Sequence, residues 1–170
     1  MIKQINKNEV RIIVAGSRTF DSMNLSLIRQ LTDGIIDALV DGKKSIFDPK
    51  IRIISGYAKG IDIMGEEIAK MNNYELSVFP AEWDRYGIRA GYIRNKQMID
   101  FALDALQTYL VVVYDGTSKG TRHMIKECKR LGIEVAYIPW EVAVRQCGKS
   151  NLLFGHISSC LADIKDMKRG

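Results

Sequence analysis

The sequence predicts an α/β fold, a doubly wound sheet of mainly parallel strands with helices on both faces, and three observations predict it. Short β-branched runs at 10–15, 51–55, 76–79, 109–114 and 133–138 alternate with segments that carry apolar residues at helical spacing. Those runs are nearly continuous rather than alternating in polarity, as strands covered on both faces must be. Three of them end in glycine-rich turns: I-I-V-A-G-S-R-T at 12–19, I-I-S-G-Y-A-K-G-I-D at 53–62 and V-V-V-Y-D-G-T-S-K-G-T-R at 111–122. Each turn precedes a helical segment, so backbone amides and helix N-termini gather at one sheet edge, where anions are stabilised.

In chain order, Ile28, Leu31, Ile35 and Leu39 stripe a first helix, and the polar, turn-rich loop at 41–50 follows it, remote from the site. Ile61, Met64 and Ile68 mark a second helix. Met98, Ala102 and Leu106 mark a third, opened by Arg94 and Asn95. A fourth carries Met124, Ile125, Cys128 and Leu131. After Trp140 a loop leads to Leu153, Ile157, Cys160, Leu161, Ile164 and Met167, a C-terminal amphipathic helix that either packs back on the sheet or forms a dimer contact. The division is therefore a domain at 1–140 and an appended loop and helix at 141–170.

At 170 residues and 46% hydrophobic content the chain can bury one substantial core. A formal charge of +5 favours anionic ligands; its dispersal permits nucleic acid without favouring it. Cys128, Cys147 and Cys160 lack metal-ligand spacing and read as buried free thiols in a reducing compartment, and no metal is predicted. No apolar stretch reaches the roughly 20 residues of a membrane span, and the first residues lack a signal peptide's apolar core, so a cytoplasmic location is expected. Neither G-x-G-x-x-G nor G-x-x-x-x-G-K-[ST] occurs, and no cofactor is predicted.

The turns after the strands should converge. Gly16, Ser17 and Arg18 offer an amide, a hydroxyl and a bidentate guanidinium, or satisfy only the turn itself. Gly56 and Gly60 permit close backbone approach to a ligand, beside Tyr57 and Lys59; Asp62 can bond a ribose hydroxyl or simply face its own helix's positive end. The segment F-P-A-E-W-D-R-Y-G-I-R-A-G-Y-I-R-N-K-Q-M at 79–98 interleaves aromatics with arginines, a base-stacking and phosphate-clamping lid or a packed surface loop. Asp115, Gly116, Thr117, Lys119, Gly120 and Thr121 complete the set with amides, hydroxyls and charge. His123 lacks an identifiable partner and reads as a packing or solvated residue.

These stations, A-G-S-R, S-G-x-A-x-G-x-D, P-A-x-W-x-x-Y-G-x-x-A-G-x-x-R-N-x-x-M and D-G-T-S-K-G-T-R, together resemble the SLOG superfamily of Rossmann-like nucleotide-ligand domains, and within it the YspA/YpsA-related branch, over roughly residues 10–140. The resemblance implies a nucleotide-derived ligand at the strand C-terminal edge. More distantly the chain is similar to the Lonely Guy phosphoribohydrolases, with Arg94 in the place of their arginine and Gly120-Thr121 in the place of their G-T. Their catalytic glutamate then falls on Met124, which moves no proton. It is also similar to DNA-processing protein A, whose R-N-R element resembles Arg94, Asn95 and Lys96. The expected function is thus a module that senses or sequesters a nucleotide or an ADP-ribose-like molecule. Two alternatives stand beside it, a nucleotide hydrolase using Asp62, Asp115 or Glu127, and a single-stranded nucleic-acid binder. A homodimer is expected. Loss of Arg94 should weaken ligand binding while leaving stability nearly unchanged.

Overall fold

Register decides which side chains of a strand meet which helices, because successive residues point to opposite faces. In the computed structural model, which describes residues 6–18, 25–41 and 50–139, five strands form one sheet: β1 (Asn6–Gly16), β2 (Lys50–Ser55), β3 (Glu75–Val78), β4 (Ala105–Tyr114) and β5 (Glu134–Pro139). The spatial order is β3-β2-β1-β4-β5 and every pairing is parallel, with Ile12 beside both Ile53 and Tyr109. The chain winds outward from β1 through β2 to β3, then returns to place β4 on the other side of β1. This is the predicted doubly wound, Rossmann-like sheet, and β1 and β4 flank its switch point.

Five helices complete the described fold: α1 (Leu25–Asp41), α2 (Ile61–Met71), the short α3 (Trp83–Tyr86) continued by a 3₁₀ turn at Gly87–Arg89, α4 (Ala90–Ala102) and α5 (Lys119–Arg130). Val10, Ile12 and Val14 of β1 join Tyr109, Val111 and Val113 of β4 beneath Ile35, Ile36 and Leu39 of α1 and Ile61, Met64 and Ile68 of α2. The intervening Ile13, Ala15, Leu110 and Val112 meet Met98, Ile99, Met124, Ile125 and Cys128 of α4 and α5 on the other face. Two cores on one sheet explain the unbroken apolar runs, each fully buried Ile, Leu or Val contributing about 1.5–3 kcal/mol. Cys128 is wholly buried, and burial pushes its thiol up to about 12, which removes it as a nucleophile.

Three expectations need correction. Leu106 lies in β4 and is exposed; α4 has already ended at Ala102, and a four-residue spacing carried the helical period falsely across the turn. Leu131 follows α5 and is likewise exposed. The helix bearing Arg94 and Asn95 starts a full turn earlier, at Ala90, so both sit on its second turn rather than at its opening. The loop at 42–49, the side chains of Ile28 and Leu31, Trp140, and the whole stripe from Leu153 to Met167 with Cys147 and Cys160 lie outside what the structure describes.

At the edge opposite the glycine turns, the apolar runs contain charges. Glu9 is buried, and its two carboxylate oxygens take Arg11 Nε at 2.6 Å and Arg52 Nε at 2.7 Å. Burial opposes ionisation of Glu9, yet the hydrogen bonds from Arg52 and Arg11 outweigh it and hold its pKa below the usual value. Arg11 also stacks on Phe101 at 4.0 Å. The sequence signal for this clasp is an arginine inside each of two strands.

Candidate functional site

The glycine turns converge at the switch point around a cavity of about 370 Å³. Gly16 and Arg18 border it from β1, Ala58 and Asp62 from the β2–α2 turn, and Trp83, Ile88, Tyr92, Arg94 and Asn95 from the segment leading into α4. Asp115, Thr117, Ser118, Gly120 and Thr121 close it at the start of α5. All four stations of the sequence therefore contribute walls.

Several predicted residues do their work behind those walls. Ser17 is fully buried: its amide donates to the Val113 carbonyl at 3.1 Å, and its hydroxyl accepts from the Asp115 amide at 3.3 Å, stitching the β1 turn to the β4 turn. Gly56 makes room for Arg94, since a Cβ there would fall 1.6 Å from Nη1. Arg94 Nη1 donates to the Gly56 carbonyl and, at 3.3 Å, to Asp62 Oδ2. Asp62, in the first turn of α2, also accepts from the Ala58 amide at 3.3 Å, so it closes the β2–α2 turn and pairs with Arg94. Burial raises its pKa to about 6 against the opposing pull of Arg94.

Asn95 braces the other wall. Its Nδ2 donates to the Gly120 carbonyl at 3.1 Å and lies 3.3 Å from His123 Nδ1. Because Nδ2 is a donor to that carbonyl, His123 Nδ1 must accept, and the ring carries its proton on Nε2. His123 thus has partners after all, including the edge of Tyr92 at 4.7 Å between centroids. Burial lowers its pKa, which favours this neutral form.

At α5 the Ser118 hydroxyl caps the helix by accepting from the Thr121 amide at 3.3 Å, while Asp115 Oδ1 accepts from the amides of Thr117 and Ser118 at 2.9 and 3.1 Å. Gly120, which borders the cavity, lies in the first turn of α5, where amides have no intrahelical partner by the geometry of any helix start, so its N–H is a donor at the cavity rim. The sequence signal for Ser118 is a serine immediately before a helix, a favoured N-cap residue. Lys59, Gly60, Gly116 and Lys119 do not border the cavity; Gly60 and Gly116 instead supply positive φ angles of 88° and 83° at the turns. Arg122 is spent on the Tyr114 hydroxyl and the Gly116 carbonyl. Glu127 faces a separate groove between α4 and α5, paired with Arg130 at 2.8 Å, and is not brought to the cavity with Asp62 and Asp115. Met124 is buried and lines the cavity.

Trp83 and Tyr57 are exposed, at 49% and 63% of their surface, and Arg18 sits 5.8 Å from the Trp83 ring centroid. Among the described residues no three His, Cys, Asp or Glu side chains gather as metal ligands, and no helix is long and apolar enough to cross a membrane.

No protein-family profile matches the chain. The Gene 61 protein of Mycobacterium phage D29 is 26% identical over 130 residues, which cover 74% of this chain and 93% of that protein. DNA processing protein A from Streptococcus pneumoniae superposes with a TM-score of 0.52 at 15% identity, over 91% of this chain and 56% of that one. The chain thus spans little more than half the length of that solved structure. The likeness is one of fold, a distant structural resemblance between this sheet with its helices and DNA processing protein A.

Proposed function

We propose that this chain binds a nucleotide or nucleotide-derived ligand at the β1–β4 switch point, as a sensing or sequestering module of the SLOG type, YspA/YpsA-related branch. The observation that carries the reading is the convergence of a capped helix N-terminus, the exposed cation Arg18 and the exposed ring of Trp83 on one cavity of about 370 Å³. That volume falls in the range of small-molecule sites, roughly 300–1,000 Å³. Phosphate is held by the α5 amides and Arg18; the base lies against Trp83. The same reading keeps residues 1–140 as the binding domain and 141–170 as an appendage through which two copies pair.

Arg18 is the residue for the test, because it is exposed and makes no ion pair among the described residues. Arg18→Ala should weaken ADP-ribose or AMP binding, read by calorimetry, about tenfold to a hundredfold, the loss of one charge-assisted contact of about 1.5–3 kcal/mol. Its melting temperature should stay within experimental error of the parent. Unchanged affinity removes Arg18 from the site. A second reading, single-stranded nucleic acid, is supported by the exposed pair Tyr57 and Trp83 beside Arg18 and by a neighbour whose name is DNA processing protein. Tighter binding of an oligonucleotide than of any mononucleotide, falling steeply with salt, selects it.

A further inference from the structure

The cavity continues past Arg18. A smaller recess of about 150 Å³, floored by Gly56, Pro80 and Ala81 and edged by Tyr57, shares Arg18, Ala58, Trp83 and Arg94 with the main cavity. The two spaces therefore meet at a waist made by two guanidiniums. Arg94 is nine-tenths buried there, and while its Nη1 is taken by Gly56 and Asp62, its Nε has no partner among the described residues. Asp62 pairs with one of the two arginines, and among the described residues Arg18 makes no ion pair.

Tyr57 is built to face this recess. Its backbone adopts φ 57°, the left-handed region that a bulky residue enters only at a cost. The Ser55 hydroxyl holds it by accepting from the Tyr57 amide at 3.0 Å, and the ring remains largely exposed at the recess edge. A turn that needed only this backbone would be better served by glycine.

We propose that the site recognises a phosphate carrying organic groups on both sides, a diester or a pyrophosphate, with a nucleoside in the larger cavity and a second ring, sugar or base, against Tyr57. A terminal phosphate monoester fills the main cavity and the waist and leaves the recess to water. The inference rests on the nucleotide reading above and names its ligand class.

The test is calorimetric titration of the full chain with AMP, with ADP-ribose as a pyrophosphate and with the dinucleotide adenylyl-adenosine as a diester, repeated on Tyr57→Gly and Tyr57→Phe. At least one two-sided ligand should bind about tenfold or more tightly than AMP, the scale of one ring stacked on an aromatic side chain. Which of the two does so separates the pyrophosphate from the diester. Tyr57→Gly should erase that preference while leaving AMP affinity and melting temperature unchanged or the latter raised, and Tyr57→Phe should keep it. Equal binding of AMP and both two-sided ligands overturns this inference alone, as does a preference that survives Tyr57→Gly. Failure of all three to bind overturns the nucleotide reading and this inference with it.

Discussion

Arg94 shows how far a residue's type can be read without its surroundings. Its position in R-N pointed to the site, and it does line the cavity, but it is also the counter-charge of a buried carboxylate. The expectation that its loss spares stability therefore fails on physical grounds. Arg94→Ala should destabilise the fold by about 3 kcal/mol or more, the cost of leaving one member of a buried pair, seen as a lowered denaturation midpoint. Asp62 should register the same burial in its pH response. Its folded pKa is raised from 3.8 to about 6, so its contribution is fully present below pH 3.8 and is lost as pH rises through about 6. Urea unfolding at pH 4 and pH 7 should show the parent losing on the order of 2–3 kcal/mol relative to Asp62→Asn across that window. A difference independent of pH would refute the raised pKa. Sequence displayed these residue types but not their depth: Ser17 is fully buried, and Gly56 lies against the Arg94 guanidinium.

Between residue and molecule stands α4, whose second turn sends Arg94 to the β2–α2 turn and Asn95 to the start of α5. Two adjacent side chains thus set the separation of the cavity's walls. The five strands and the helices α1, α2, α4 and α5 were legible to within a few residues because period and burial agree: strands with unbroken apolar runs, helices with apolar stripes. Least legible were the boundaries of α4, since its first turn contains little to pack and the stripe begins only at Met98. Close packing of strand ends was equally invisible. A Cβ on Gly16 would stand 2.5 Å from both Ile61 Cγ1 and the Val113 carbonyl oxygen, and backbone cannot move aside cheaply. Gly16→Ala should cost about 1–3 kcal/mol by overpacking, measured by chemical denaturation, although it adds only one methyl group. A variant as stable as the parent would show that β1 can shift against β4.

On the scale of the whole molecule, the glycine turns lie at one edge of the sheet and the Glu9, Arg11 and Arg52 clasp at the other, so the parallel strands are pinned by charge where they begin and left open where they end. The described members of both apolar cores lie among residues 10–138. A chain ending at residue 140 should consequently unfold as one cooperative transition by circular dichroism, with the binding of ADP-ribose retained; a broad, non-cooperative melt would make residues 141–170 part of the core. The stitched floor of the cavity contrasts with its rim, where the stretch from Trp83 to Arg89 has no buried residue and Ile88 is 92% exposed. Trp83 is one of two tryptophans in the chain, the other being Trp140. In a Trp140→Phe background the indole beside Arg18 becomes the sole long-wavelength emitter, and the protein carries its own optical gauge of occupancy: a ligand that stacks there changes the emission, and one bound elsewhere leaves it as it was.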